Sequence, residues 1–190
     1  EVVEQSLVMK QKGIADYPLM LPMAQESWLI EFLSALVFSH GGTFTDDAGK
    51  SIMQDPKKGG VAALRFIVDA VQKHKIVSPA CVETGELAAL KALSAGGPAF
   101  AILPKYRLRV LNDAAQSKVA GRIKQALMPM GKDGSHATVG WMRFHGMSAE
   151  TAENKARAEQ TARLIEWFGG KADGKYLFQK SLFLDAGSDF

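Results

Sequence analysis

Apolar residues recur at intervals of three and four along much of the chain, the spacing of one face of an α-helix. Glycines mark the ends of several such stretches, as at Gly13, Gly41 and Gly96, because glycine adopts the left-handed conformation of a helix C-terminus at little cost. The helices predicted from this pattern cover residues 2–12, 28–39, 55–75, 85–94, 106–119 and 149–168.

Short apolar runs bounded by proline or glycine lie between these helices. They are DYPLMLPM at 16–23, PAFAILP at 98–104, IKQALMPMG at 123–131 and VGWMRFHG at 139–146. Runs of this length and composition predict strands, the second of them buried. Helices that alternate with short strands predict an α/β domain, with helices packed on a small mixed sheet.

Two of the helices have a defined apolar stripe, which we expect to be buried. In the helix at 55–75 the stripe consists of Val61, Leu64, Ile67, Val68 and Val71. In the helix at 149–168, which Ser148 is expected to cap, it consists of Ala158, Thr161, Leu164, Ile165 and Phe168. Trp167 is expected in the core or in an interface.

The run at 139–146 has two unlike faces if it forms a strand. Met142 and Phe144 point to one side, whereas Trp141, Arg143 and His145 point to the other. The first face suits a core. The second face is either a binding surface or the solvent side of an edge strand.

Composition narrows the class of protein. The chain has 190 residues, of which 47% are hydrophobic and 23% charged, so it can bury a core without disulfides. Its net charge of +3 comes from interleaved acidic and basic residues rather than from a basic patch, which argues against nucleic-acid binding. No apolar run reaches the roughly 18 residues that span a bilayer. The chain is therefore not expected to span a membrane.

Motifs of catalysis and metal binding are missing from the sequence. There is no nucleophile elbow, zinc-binding helix motif, phosphate-binding loop or dinucleotide-binding glycine pattern. His40 and His74 lie at predicted helix ends, where they suit capping, and Cys81 suits an inert buried position. We therefore expect no metal, no cofactor and no catalytic residues. The alternatives are a small α/β hydrolase or transferase that uses Glu26 and Arg143, or a non-catalytic interaction domain.

A series of motifs occurs in an order typical of one protein family. YPLMLPMAQESW precedes a helix that ends in HGG, and TFTDDAGKSIM and DPKKGGVAALRFIVDAVQKHKIVSP follow. Next come ELAALKALSAGGPAFAILP, MPMG and VGWMRFHGMSAETAENKARAEQTARLIEWF. In this order the chain resembles the extracellular solute-binding proteins of ABC importers, in the sugar-binding branch that includes maltodextrin-binding protein.

The resemblance implies a periplasmic-binding-protein-like fold of two α/β lobes. A complete member is roughly twice as long, so residues 1–190 are expected to form a C-terminal lobe without the N-terminal part. Segments around 99–130 are assigned to the hinge or to the returning part of the other lobe. A piece that lacks half of the cleft is expected to bind ligand at millimolar strength or more weakly.

The resemblance also implies a function. Such proteins bind a carbohydrate between their lobes and deliver it to the membrane permease subunits of an ABC transporter, in the periplasm or outside the cell. The ligand-binding residues that it implies here are Gln25, Glu26, Trp28, Lys105, Tyr106, Trp141 and Arg143.

Other interpretations of these residues stay open. Trp28 suits the core as well as a cleft, and Lys105 and Tyr106 suit a solvated loop. Trp141 is expected to stack on a sugar ring, because its strand neighbours on that face are polar. Arg143 indicates either an acidic or phosphorylated sugar or a surface ion pair, since the family usually has a small or aliphatic residue there.

Overall fold

A computed structural model describes residues 1–132, 134–140 and 145–169 of the chain, with side chains as far as Trp167. Its helices are α1 (Val2–Gln11), α2 (Ser27–Ser39), α3 (Gly60–Val68), α4 (Glu86–Ser94), α5 (Leu108–Leu111), α6 (Ala149–Glu153) and α7 (Lys155–Gly169). A π-helical turn (Asp69–Lys73) continues α3, and 3₁₀ turns cover Pro79–Glu83 and Lys105–Arg107. The strands are β1 (Leu19–Met20) and β2 (Phe100–Ala101).

The two strands form a parallel pair in which Leu19 is opposite Phe100 and Met20 is opposite Ala101. The Pro18 carbonyl accepts hydrogen bonds from the backbone amides of Ala99 and Phe100, at 2.8 and 2.9 Å. Because parallel strands run in one direction, the loops that follow β1 and β2 leave from the same edge of the sheet. We call this edge the carboxyl edge.

The main core forms where α2 meets β1 and the segment after α3. Its most buried large side chains are Leu21, Phe32, Val37, Ile76 and Val77, each at most 1% exposed. Full burial of such a side chain stabilises the fold by about 1.5–3 kcal/mol. A second, smaller cluster joins α4 to α5 and consists of Leu90, Leu93, Leu108 and Leu111.

The start of α3 differs from the prediction for 55–75, because the helix begins only at Gly60. The preceding residue, Gly59, has φ +75°, and a Cβ there would lie 2.7 Å from the Cα of Gly42. Two backbones therefore approach closely where α2 ends and α3 begins, which requires glycine. Residues 55–58 form a turn in which Asp55 accepts a hydrogen bond from the amide of Lys57.

The predicted stripe of α3 is also only partly right. Leu64 and Val68 are 46% and 48% exposed, whereas Ala63, Ile67 and Ala70 are buried. The buried face combines Ile67 with the small residues Ala63 and Ala70 in the main core, where α3 packs against α2. Leu64 and Val68 lie on the exposed side of the helix.

Two further elements predicted from the sequence are wrong. The helix at 106–119 is reduced to a 3₁₀ turn and α5, because side chains beyond Asn112 bind nearby backbone amides instead. Asp113 accepts from the amide of Ala115 at 2.9 Å, and Ser117 accepts from that of Val119 at 3.3 Å. The run at 123–131 is not a strand, and it leaves Leu127 72% exposed. PAFAILP does contain β2, but that strand is only half-buried.

The long C-terminal helix is divided at Asn154, whose φ and ψ of −99° and 103° are not helical. Ser148 caps α6 as predicted, since its Oγ accepts a hydrogen bond from the amide of Thr151. Of the expected buried stripe, Ala158, Thr161 and Ile165 are only half-buried and Leu164 is 56% exposed. Trp167, which was expected in the core or in an interface, is 52% exposed. Apolar periodicity identifies the apolar side of a helix, but it does not show which other element packs against that side. Phe168 lies beyond the described side chains.

No helix in the described ranges is long and apolar enough to cross a membrane.

Candidate functional site

The loop after β1 is fixed to the body of the domain by backbone hydrogen bonds. Leu21 and Pro22 are fully buried, and beyond them the amides of Met23 and Ala24 donate to the carbonyls of Cys81 and Thr84, at 3.0 and 3.1 Å. The residues that come next in the loop, 25 and 26, are exposed. They therefore lie on a fixed backbone at the carboxyl edge.

Glu26 caps a helix other than the one that it precedes. Its backbone is extended at the start of α2, with φ and ψ of −139° and 177°. Its Oε1 accepts a hydrogen bond of 2.5 Å from the backbone amide of Glu86, the first residue of α4. The first amides of a helix have no partner within the helix, and a carboxylate there also interacts favourably with the helix dipole. Glu26 thus joins the loop after β1 to α4.

Glu86 in turn joins α4 to the segment after β2. Its Oε1 accepts from the phenol oxygen of Tyr106 at 3.0 Å and from Nε of Arg107 at 2.6 Å. The side chains of Arg107 and Glu86 are only 23% and 15% exposed, so the pair is partly shielded from water. The guanidinium carbon of Arg107 lies 4.8 Å from the centroid of the Tyr106 ring, within range of a cation–π interaction.

The carboxylate also affects proton binding by its two partners. Burial raises the pKa of Tyr106, and the hydrogen bond with Glu86 raises it further. The hydrogen bond with Glu86 is also the main reason that the pKa of Arg107 is raised. Tyr106 is therefore a neutral hydroxyl donor and Arg107 a cation at neutral pH. We call Glu26, Glu86, Tyr106 and Arg107 the edge cluster.

The structure brings some of the predicted binding residues together. Glu26 and Tyr106 are both bonded to Glu86, exposed Gln25 precedes Glu26, and half-buried Lys105 precedes Tyr106. All four follow the carboxyl end of a strand. In open α/β sheets this is where ligands bind.

Trp28 occupies a different environment. It is 9% exposed and belongs to the main core, so its position agrees with the core interpretation. Its indole Nε1 is buried without a hydrogen-bond partner among the described residues.

Trp141 and Arg143, in the predicted strand at 139–146, lie outside the residues that the structure describes. The geometry between Glu26 and Arg143, on which the hydrolase alternative depends, is therefore not described either. Glu26 itself is hydrogen-bonded as a helix cap.

Two members of the edge cluster were not predicted as site residues. A glutamate in the first turn of a helix, such as Glu86, is common because it interacts favourably with the helix dipole, so its presence does not indicate a site. Arg107 directly follows the predicted Lys105 and Tyr106, and that position was its only signal. Their pairing depends on the register of β1 and β2, which short-range patterns do not specify.

The histidine and cysteine considered in the sequence have roles in the fold rather than in a site. Nδ1 of His40 lies 2.8 Å from the Leu36 carbonyl at the end of α2, in agreement with a capping role. Cys81 is buried, and burial raises the pKa of its thiol. No group of three or more histidine, cysteine, aspartate or glutamate residues that could hold a metal occurs in the described part of the chain.

Comparison with known proteins gives matches only among solved structures. No protein-family model matches the chain, and no curated protein matches it. Maltose-bound T. maritima MalE3 is 26% identical, with a TM-score of 0.63 over 70% of this chain and 33% of that one.

Two ABC transporter solute-binding proteins also match. The protein from Agrobacterium radiobacter K84 in complex with ribitol is 16% identical, with a TM-score of 0.67 over 95% of this chain and 45% of that one. The protein from Agrobacterium vitis S4 with bound D-mannitol is 21% identical, with a TM-score of 0.65 over 97% and 43%. The chain thus spans between a third and just under half of the length of these structures.

The chain therefore has the α/β fold of the solute-binding proteins of ABC transporters, over part of their length, which confirms the predicted fold class and the resemblance. Two of these matches are named as solute-binding proteins, in agreement with the expectation that the chain is not an enzyme.

Proposed function

We propose that this chain forms one wall of a sugar- or polyol-binding site in a solute-binding protein of an ABC transporter. The observation that carries the proposal is the edge cluster. Two residues predicted as ligand contacts, Glu26 and Tyr106, are joined through Glu86 at the carboxyl edge. The structures with this fold contain maltose, ribitol and D-mannitol, which supports a polyhydroxylated ligand.

The chemistry of the edge cluster and of its neighbours Gln25 and Lys105 suits such a ligand. The Tyr106 side chain is 41% exposed, and the apolar C–H face of a sugar can pack on its ring. Gln25 and the carboxylate of Glu26 offer donors and acceptors for hydroxyl groups, and Lys105 offers a further donor. Each hydrogen bond made in this way contributes about 0.5–1.5 kcal/mol.

Trp141 and Arg143 belong to the proposal on sequence grounds. Trp141 would provide a second ring for stacking, from the polar face of the run at 139–146. Arg143 lies two residues further along on the same predicted face and would contact ligand hydroxyls or an acidic group. A Trp141→Ala variant should lose ligand affinity if this interpretation is right.

The wider context is also part of the proposal. Residues 1–190 would form the C-terminal lobe, and segments around 99–130 would belong to the hinge or to the other lobe. The ligand would be enclosed between two lobes that close on a hinge and would then pass to the membrane permease subunits of the transporter. The protein would work in the periplasm or outside the cell.

Amide chemical shifts measured by NMR during titration test the proposal directly. Maltose, ribitol and D-mannitol are added separately, and betaine, an osmolyte without hydroxyl groups, is the control. We expect at least one of the three ligands to produce saturable shifts at residues 25, 26 and 105–107, and betaine to produce none. Shifts confined to other parts of the chain, or no saturable shifts, would contradict it.

A further inference from the structure

Glu86 is bonded to two other segments of the chain through different groups. Its backbone amide donates to the side chain of Glu26, whereas its carboxylate accepts from Tyr106 and Arg107. The two sets of contacts are therefore separable by substitution. Replacing the side chain at position 86 removes the bonds to Tyr106 and Arg107 and leaves the amide that Glu26 caps.

The carboxylate defines the relative position of a ring and a cation. A single oxygen, Oε1 of Glu86, accepts from both the Tyr106 phenol and Arg107 Nε. With both anchored to one atom, the guanidinium carbon lies 4.8 Å from the ring centroid. A guanidinium stacked in this way covers one face of the ring, so the other face is the one open to a ligand.

Without Glu86 these groups would have more freedom. Tyr106 and Arg107 lie in a short 3₁₀ turn at the end of an irregular segment, where β2 and the bonds to Glu86 restrict the backbone and side chains. A binding group held in one rotamer loses less conformational entropy when its ligand arrives. A partner that fixes the rotamer can thus increase affinity without touching the ligand.

We propose that Glu86 is a positioning residue of the carboxyl edge: it holds the Tyr106 ring and the Arg107 guanidinium in the arrangement that receives a sugar or polyol. The proposal rests on the proposed function of this site. Its side chain is 15% exposed and occupied by Tyr106 and Arg107, so Glu86 acts through these residues and not by contact with the ligand.

Three substitutions separate position from charge. Glu86→Gln keeps the length of the side chain and an acceptor oxygen but loses the charge. Glu86→Asp keeps the charge but is one methylene shorter, so it cannot reach both partners without movement of the backbone. Glu86→Ala loses both properties. Glu83→Ala, at an exposed glutamate three residues earlier, is the matched control.

Two measurements are made on each folded variant of the 190-residue chain. The first is the Kd for maltose, ribitol or D-mannitol, whichever binds the wild type, from NMR titration. The second is the pKa of the Tyr106 phenol from the ring resonances of ¹³C-labelled tyrosine, assigned with Tyr106→Phe. The second needs no ligand, and because the bond to Glu86 raises this pKa, loss of the bond lowers it.

We expect Glu86→Ala and Glu86→Asp to weaken binding about fivefold or more. Glu86→Gln and Glu83→Ala should weaken it by less than about twofold. The Tyr106 pKa should fall in Glu86→Ala and stay unchanged in Glu83→Ala. If Glu86→Ala does not fold, the contrast between Asp and Gln carries the test.

Different failures have different signatures. A wild-type chain that binds none of the three ligands would overturn the proposed function. A wild-type chain that binds, with affinity unchanged in Glu86→Ala and Glu86→Asp, would overturn only the positioning role. If Glu86→Asp binds normally and Glu86→Gln does not, the effect is one of charge, and this result would also overturn the positioning role.

Discussion

The carboxylate of Glu26 lies 2.5 Å from the backbone amide of Glu86, a residue 60 positions further along the chain. Through this contact the loop after β1 provides the N-terminal cap of α4. The same loop residue is a proposed ligand contact. Stability and ligand binding are therefore linked at Glu26.

Replacing Glu26 should destabilise the protein through α4. Loss of a helix cap costs about 1 kcal/mol, so Glu26→Ala should lower the midpoint of thermal unfolding by about 2–4 °C for a domain of this size. Glu26→Gln retains an acceptor oxygen and should lose less than half as much. The exposed Glu83→Ala serves as control, and equal loss in all three variants would argue against capping.

Lys10 should stabilise the connection between α1 and the segment after α3. Its Nζ donates to the carbonyls of Lys75 at 2.8 Å and Asp16 at 3.1 Å, and it lies 5.1 Å from the centroid of the Tyr17 ring. Lys10→Met keeps most of the apolar stem but removes the donors, so the free energy of unfolding should fall by about 1 kcal/mol in denaturant titrations.

Lys12 provides the comparison for that experiment. It lies beside the end of α1 and is exposed, so Lys12→Met should change the free energy of unfolding by less than about 0.5 kcal/mol. Similar losses at both positions would indicate a general effect of charge.

Gly59 should be far less tolerant of substitution than Gly13, although both have positive φ. A Cβ at Gly13 meets no atom within 4 Å, so Gly13→Ala should cost only the backbone strain of about 1–2 kcal/mol. A Cβ at Gly59 would lie 2.7 Å from the backbone at Gly42, so Gly59→Ala should cost at least about 3 kcal/mol. Equal costs in chemical denaturation would show that the two backbones are not tightly packed.

Cys81 should make stability depend on pH in alkaline solution. Burial raises its pKa above the ordinary value of 9.0, so the unfolded chain loses this proton first as the pH rises. The contribution of the protonated thiol to the free energy of unfolding is complete below the ordinary pKa, and it is lost as the pH rises towards the pKa of the folded state. The difference in free energy of unfolding between wild type and Cys81→Ala should therefore shrink above about pH 9, and a constant difference would contradict this.

Local patterns were sufficient for much of the helical structure. The predicted bounds of α1, α2 and α4 agree with the structure to within one residue, since apolar periodicity and terminal glycines are properties of the segments themselves. The prediction of a helix at 106–119 was wrong because Asp113 and Ser117 offer the backbone local hydrogen bonds that compete with a helix.

The candidate site could be predicted only in part. Glu26 and Tyr106 were named as candidates because motifs on either side of them occur in a recognisable order, and the structure places both next to Glu86. Glu86 and Arg107 were missed because nothing within a few residues of either indicates their ion pair. That pair forms only after β1 and β2 are aligned and α4 is placed against them, which is a property of the whole fold.

The proposed function depends most on the presence of Tyr106 in the ligand site. The chain offers a matched control, because Tyr17 is 42% exposed against 41% for Tyr106, and each ring lies close to a cation. Tyr17 lies before β1, at the opposite end of the strand from the carboxyl edge.

The decisive measurement is the Kd of wild type, Tyr106→Ala and Tyr17→Ala for maltose, ribitol and D-mannitol by NMR titration. We expect at least one ligand to bind the wild type with a millimolar Kd, because one wall supplies only part of the contacts that offset the cost of association. Tyr106→Ala should weaken that binding about fivefold or more, and Tyr17→Ala by less than about twofold. Equal affinities in the two variants would contradict a ligand site at the carboxyl edge.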